Sequence, residues 1–121
     1  MIETKKIALR IASVAKAKKA QRVIILDTRE VSSFCDYFVI LSGTSLRQVN
    51  ALAESIQEDL EEIKIKSLSK VNANDESGWI VLDFVDVVTH IFYKPLRDFY
   101  SLERLWSDAK RVRIPSERLK K

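Results

Sequence analysis

Hydrophobic residues recur along this chain in two rhythms, and the rhythm separates helices from strands. Val49, Leu52, Ala53, Ile56, Leu60 and Ile63 fall at intervals that line one face of an α-helix. Glu54, Glu58, Asp59, Glu61 and Glu62 cover its outer face. Ser45, with Gln48 three residues later, predicts a capping box that satisfies two otherwise unpaired amides at the helix start. An earlier helix follows from Ile7, Ile11, Val14 and Ala15, with lysines opposite, Thr4 as its cap and an end near Lys19. A last helix is expected from Ser101, with Leu102, Leu105, Trp106 and Ala109 on one side.

Between the helices lie short β-branched runs. Val23–Leu26 and Asp36–Leu41 read as strands covered on both faces, joined by a largely polar connection from Thr28 to Phe34. Lys66–Val71 is expected as a short edge strand. Trp79–Phe84 and Asp86–Tyr93 are close enough to form a hairpin, which Pro95 stops because proline brings no amide to the ladder. With Phe84 and Val85 as the loop, Asp83 lies opposite Asp86, Val81 opposite Val88, and Trp79 opposite His90. One face then shows Trp79, Val81, Asp83, Asp86, Val88 and His90. The other shows Ile80, Leu82, Phe84, Val87, Thr89 and Ile91, and is the core side. No repeat or linker interrupts the pattern. The expectation is a single α/β domain: a mixed β-sheet with flanking helices.

Composition narrows the chemistry. A chain of 121 residues, 46% hydrophobic with two Gly and two Pro, is long enough for one core and too apolar for disorder. No run approaches the roughly 18 apolar residues of a membrane span. The lone Cys35 and lone His90 exclude an intramolecular disulfide, a Cys-based zinc cage and a multi-His metal site. A small, soluble, intracellular domain is expected. Residues 1–20 are basic and amphipathic like a mitochondrial presequence, yet poor in Ser and Arg and continuous with the first strand, so they read as the domain's own first helix.

The formal net charge of +4 hides a segregation. Residues 1–22 hold seven basic groups and one acid, residues 110–121 six and one, so the body between them carries a net −7. An acidic body repels phosphate and attracts a cationic surface. The basic ends either touch RNA or simply keep the chain soluble.

Several constellations invite a functional reading. Two opposed aspartates repel unless water or a cation, either a metal or an Arg or Lys of a partner, lies over them. Trp79 beside them is an interface anchor, or else it lies under the last helix above a solvated turn. Ser42-Gly43-Thr44-Ser45, between a strand and a helix, would cradle a phosphate; with Asp83 and Asp86 on Mg²⁺ that makes a nucleotidyltransferase. It lacks the lysine and glycines of a P-loop and is equally a well-capped turn. His90 has no activated nucleophile nearby in sequence, and Asp36 raises rather than lowers the pKa of Cys35. Neither marks a catalytic centre.

Three blocks carry a family resemblance. The first is Val31–Phe34, Asp36–Ile40, Ser42–Ser45 and Arg47–Val49; the second is Gly78–Asp83, Asp86–Val88 and His90–Phe92. The third is Arg97, Phe99-Tyr100, Leu102–Trp106 and Asp108-Ala109. In this order, over about residues 5–109, they resemble the ribosomal silencing factor (Iojap-like) family. The resemblance implies a nucleotidyltransferase-like fold without known catalysis over residues 1–109, followed here by a basic tail, 110–121. It further implies a factor, cytoplasmic or organellar and homodimeric when free, that binds ribosomal protein L-fourteen of the large subunit. Bound there, it blocks subunit joining and represses translation. Carried onto this chain, Trp79 is the apolar anchor and Asp83 and Asp86 pair with Lys or Arg. His90, Tyr100 and Glu103 form the rim. No cofactor, metal or catalytic residue is implied, nor any membrane. The basic ends remain available to ribosomal RNA. Where the family usually has glycine in the hairpin loop this chain has Val85, which predicts a wider or bulged turn.

Overall fold

Segments with strand periodicity pair into one sheet, and segments with helical periodicity pack side by side on one of its faces. A computed structural model of the chain describes residues 3–31, 35–69, 76–96 and 109–114. The helix Thr4–Ala17 (α1) leads into strands Gln21–Asp27 (β1) and Tyr37–Gly43 (β2). The helix Leu46–Glu61 (α2), the strands Trp79–Asp83 (β3) and Val87–Tyr93 (β4), and a short strand Lys110–Val112 (β5) follow. The sheet order is β3-β4-β2-β1-β5, with β2 and β4 parallel and every other pair antiparallel. This is the mixed-sheet α/β domain expected from the pattern.

Both helices cover the same face. Ala8, Ile11, Ala12 and Ala15 of α1 meet Val49, Leu52, Ala53, Ile56 and Leu60 of α2 over Val39, Leu41, Leu82, Val87 and Ile91 of the strands. Small alanines on α1 let the two helices lie close against the sheet, and Arg10 bridges them by a bidentate pair with Asp59. Ser45 caps α2 as expected, accepting from the Gln48 amide at 3.0 Å. The other arm of the box reaches one residue further back: Gln48 Oε1 accepts from the Thr44 amide at 2.6 Å. Thr4 does not cap α1. Glu3 occupies that position, and the Thr4 hydroxyl donates to Asp36 Oδ2 at 2.9 Å, fastening the helix start to the entry of β2. Each helix ends in a Schellman turn on a lysine of positive φ, Lys19 at 67° and Lys64 at 64°.

Three further expectations need correction. Lys66–Ser69 is not a strand, although the Leu68 amide donates to the Asp83 carbonyl at 2.7 Å and the Asp83 amide to Ser69 Oγ. The basic segment expected to trail from about Lys110 begins with β5, which pairs with the free edge of β1 and turns Val112 and Ile114 toward the core. The hairpin register differs by two residues: Asp83 faces Val88, Val81 faces His90 and Trp79 faces Phe92. The helix expected from Ser101 lies outside the described residues.

Candidate functional site

The register follows from how the β3–β4 turn is built. Phe84 and Val87 flank it, the Phe84 amide donating to the Val87 carbonyl at 3.0 Å, so Val85 and Asp86 form the loop. The Asp86 amide donates back to the Phe84 carbonyl across Val85, whose φ is 74°. This is a three-residue γ-turn with positive φ, a strained conformation for a β-branched residue. The turn is therefore tight and neither wide nor bulged. Two contacts hold it: Asp83 Oδ1 accepts the Val85 amide at 2.8 Å, and the Asp86 carbonyl accepts amides from Asp36 and Tyr37 at the head of β2.

Asp83 and Asp86 are thus not opposed across the hairpin, and the mutual repulsion that would demand a cation over them is relieved. Asp86 projects from the turn and is exposed; Asp83 is half-buried at the end of β3. Beside them stand two exposed apolar side chains, Leu68 at 70% and Val85 at 55%. The hairpin tip is accordingly apolar and acidic at once.

A two-residue shift preserves parity, so the two faces are as expected. Ile80, Leu82, Phe84, Val87, Thr89 and Ile91 are all buried on the helix side. The opposite side carries Trp79, Val81, Asp83, Val88 and His90, and extends to Phe92, Phe38 and Ile40. Trp79 is half-buried and stacks on Phe92, with ring centroids 5.1 Å apart. Its indole N–H donates to His90 Nδ1 at 3.1 Å. His90, only 8% exposed, also meets the Phe38 ring edge to face at 5.0 Å. Accepting at Nδ1 fixes the neutral tautomer with its proton on Nε2, which is buried without a partner among the described residues. Burial pushes the imidazole down to about 4. The sole lone pair of His90 is therefore committed to the indole, and the residue, expected on an exposed rim, is instead buried and steadies Trp79 from behind. Phe92 and Phe38 escaped the sequence argument, although the period of two from His90 pointed to Phe92.

Ser42–Ser45 and the aspartates lie at opposite ends of the sheet. Asp86 touches the start of β2, whereas Thr44 and Ser45 follow its end, and a strand of seven residues spans about 20 Å. The constellation imagined for nucleotidyl transfer does not assemble. Gly43 in that turn serves packing: a Cβ there would lie 3.0 Å from Val49 Cγ2. Cys35 is buried, and burial pushes its thiol up, with Asp36 adding to the effect. Tyr100 and Glu103 lie outside the described residues. Among the described residues no helix is long and apolar enough to cross a membrane.

An α/β domain with its two described helices over one sheet face, an aromatic cluster on the other and an acidic hairpin tip defines the class. A family model described as "Ribosomal silencing factor during starvation" matches residues 2–121. The chain is 40% identical over 102 residues to ribosomal silencing factor RsfS of Bacillus subtilis, covering 84% of this chain and 86% of that protein. It is 28% identical to a mouse protein named "Mitochondrial assembly of ribosomal large subunit protein 1", over 80% of this chain and 43% of that one. A crystal structure of a Chromobacterium violaceum protein superposes with a TM-score of 0.82 at 30% identity, covering 95% and 92% of the two chains. The chain belongs to the ribosomal silencing factor family.

Proposed function

We propose that this protein docks on ribosomal protein L-fourteen of the large ribosomal subunit, occupies the space the small subunit needs, and so represses translation. The observation that carries this reading is the hairpin tip. Asp83 and Asp86 sit beside exposed Leu68 and Val85 at the end of the strand that bears Trp79. Exposed apolar groups framed by carboxylates suit a cationic protein surface, where an aromatic anchor supplies affinity and charge supplies steering. The name of the mouse relative points to the large subunit as the binding platform. In this reading Trp79 is the anchor, Asp83 and Asp86 meet Lys or Arg, Tyr100 and Glu103 complete the rim, and His90 holds the indole in place. The protein works in the cytoplasm, is a homodimer when free, and acts by occupancy, with no cofactor and no catalytic step.

A subunit-joining assay with purified ribosomes tests the proposal directly: excess protein should keep the subunits apart and co-sediment with large subunits only. Trp79→Ala should weaken binding to the large subunit by about 2 kcal/mol, roughly 30-fold, with circular dichroism unchanged. Normal joining at saturating protein, or full affinity in the folded variant, would falsify the reading.

A further inference from the structure

The last turn of α1 and the strand β5, each within a basic stretch of the sequence, line one groove at a flank of the sheet. β5 pairs with β1, Leu26 opposite Arg111 and Ile25 opposite Val112, which carries the C-terminal arginines to the flank where α1 ends. Between them lies an open groove of about 430 Å³. Val23, Ile25, Val112 and Ile114 line it together with Lys16, Arg111 and Arg113. All three basic residues are exposed.

Some cations of the fold are neutralised by a neighbouring acid. Arg10 is held by Asp59, Arg29 by Asp27, Lys6 by Glu3 and Lys110 by Glu30. Among the described residues no carboxylate pairs with Lys16, Arg111 or Arg113. Three charges of one sign lining a partly apolar groove, with no acid among the described residues paired to them, concentrate a positive field, since low-dielectric walls focus rather than screen it. The arginines are fixed from the other side. Val112 and Ile114 alternate with them and pack against the core, so Arg111 and Arg113 are presented about 7 Å apart along the chain. Guanidinium groups in such a row match the repeating oxygens of a sugar–phosphate backbone, each donating a planar fork.

We propose that this groove seats the phosphodiester backbone of RNA, at a site separate from the hairpin tip. The functional reading supplies only the setting, a protein working beside RNA; the groove itself rests on its own geometry. The protein then meets a ribosomal surface with two unlike contacts, an acidic-apolar tip for a basic protein and a cationic edge for nucleic acid.

Fluorescence anisotropy of a labelled short RNA duplex, titrated with the full chain over a series of salt concentrations, tests this. The wild type should bind with an affinity that falls steeply with salt. Arg111→Gln with Arg113→Gln should weaken binding about tenfold or more and reduce the log–log salt slope by about 2. Lys16→Gln, on a helix remote from the β5 pairing, should reduce the slope by about 1, so the test survives any disturbance of the edge strand. Trp79→Ala should leave the RNA slope as it is, which separates this proposal from the docking reading. An absence of RNA binding at low salt, or the wild-type slope in both groove variants, overturns the assignment. So does tighter binding of polyglutamate than of RNA, which would assign the edge to an acidic protein.

Discussion

The two faces of the sheet are made by the same strands and the same alternation, yet they are furnished for different work. Toward α1 and α2 the strands carry Val39, Leu41, Leu82, Val87 and Ile91, aliphatic groups closed off from water. Toward the other side stand Phe38, Trp79, His90 and Phe92, rings in mutual contact and joined by one hydrogen bond. Aliphatic packing has no preferred partner chemistry and serves cohesion alone. Aromatic rings combine large apolar area with polar edges, so a face built from them can hold a fixed shape and still offer directional contacts. Both faces are closed to water at their centres, Phe92 and Ile40 as fully as Leu82, so the difference lies in the packing itself: aliphatic on the helix side, aromatic and hydrogen-bonded on the other.

The largest expected effect breaks the helix side. Leu82→Ala deletes a fully buried side chain on the strand beneath α2 and should cost about 3 kcal/mol in denaturant unfolding. Should it instead disturb large-subunit affinity at unchanged stability, the division between the faces fails. Nearly as large is the acid response of the aromatic side. His90 is neutral when folded, at about 4, and takes a proton near 6.5 once unfolded, so protons favour the unfolded chain. Its contribution is whole above about pH 6.5 and lost as pH falls toward 4, about 3 kcal/mol across that window. Unfolding curves at stepped pH measure this slope, and His90→Phe should flatten that part of it. The smallest effect sharpens the contrast. Thr89 is buried on the aliphatic side with a hydroxyl that meets no partner among the described residues, so Thr89→Val should raise stability by about 1 kcal/mol. A loss of stability in that variant would show the hydroxyl to be part of the packing.

Much of this arrangement was legible before any coordinates. The spacing from Val49 to Leu60 fixed the buried face of α2, and alternation from Trp79 to Ile91 separated core from surface on both hairpin strands. The turn was misplaced because Asp83 and Asp86 bracket Phe84-Val85 as turn residues do, and because valine resists positive φ. Contacts far along the chain overrule that preference: the amides of Asp36 and Tyr37 pin the Asp86 carbonyl. The sheet faces nonetheless stayed correct, since a shift of two residues leaves every side chain on its own side. β5 was unreadable for a related reason. Lys110-Arg111-Val112 has no strand signature of its own, and only the vacant edge of β1 makes it one. In the candidate site, the charges were visible in the sequence. The bond that sets Trp79 against His90 depends on a register that sequence alone did not supply.

The parallel seam between β2 and β4 also dictates the order in which the domain is assembled. β2 can pair with β1 soon after both are synthesised, but its other edge waits for Val87–Tyr93, which emerge only after α2 and β3. Until Tyr93 clears the exit tunnel, the β1–β2 pair of the nascent chain holds both outer margins open, and that of β1 waits longer still, for β5. A protein whose family is named for silencing ribosomes thus stays tethered to one, its central seam open, through most of its own making.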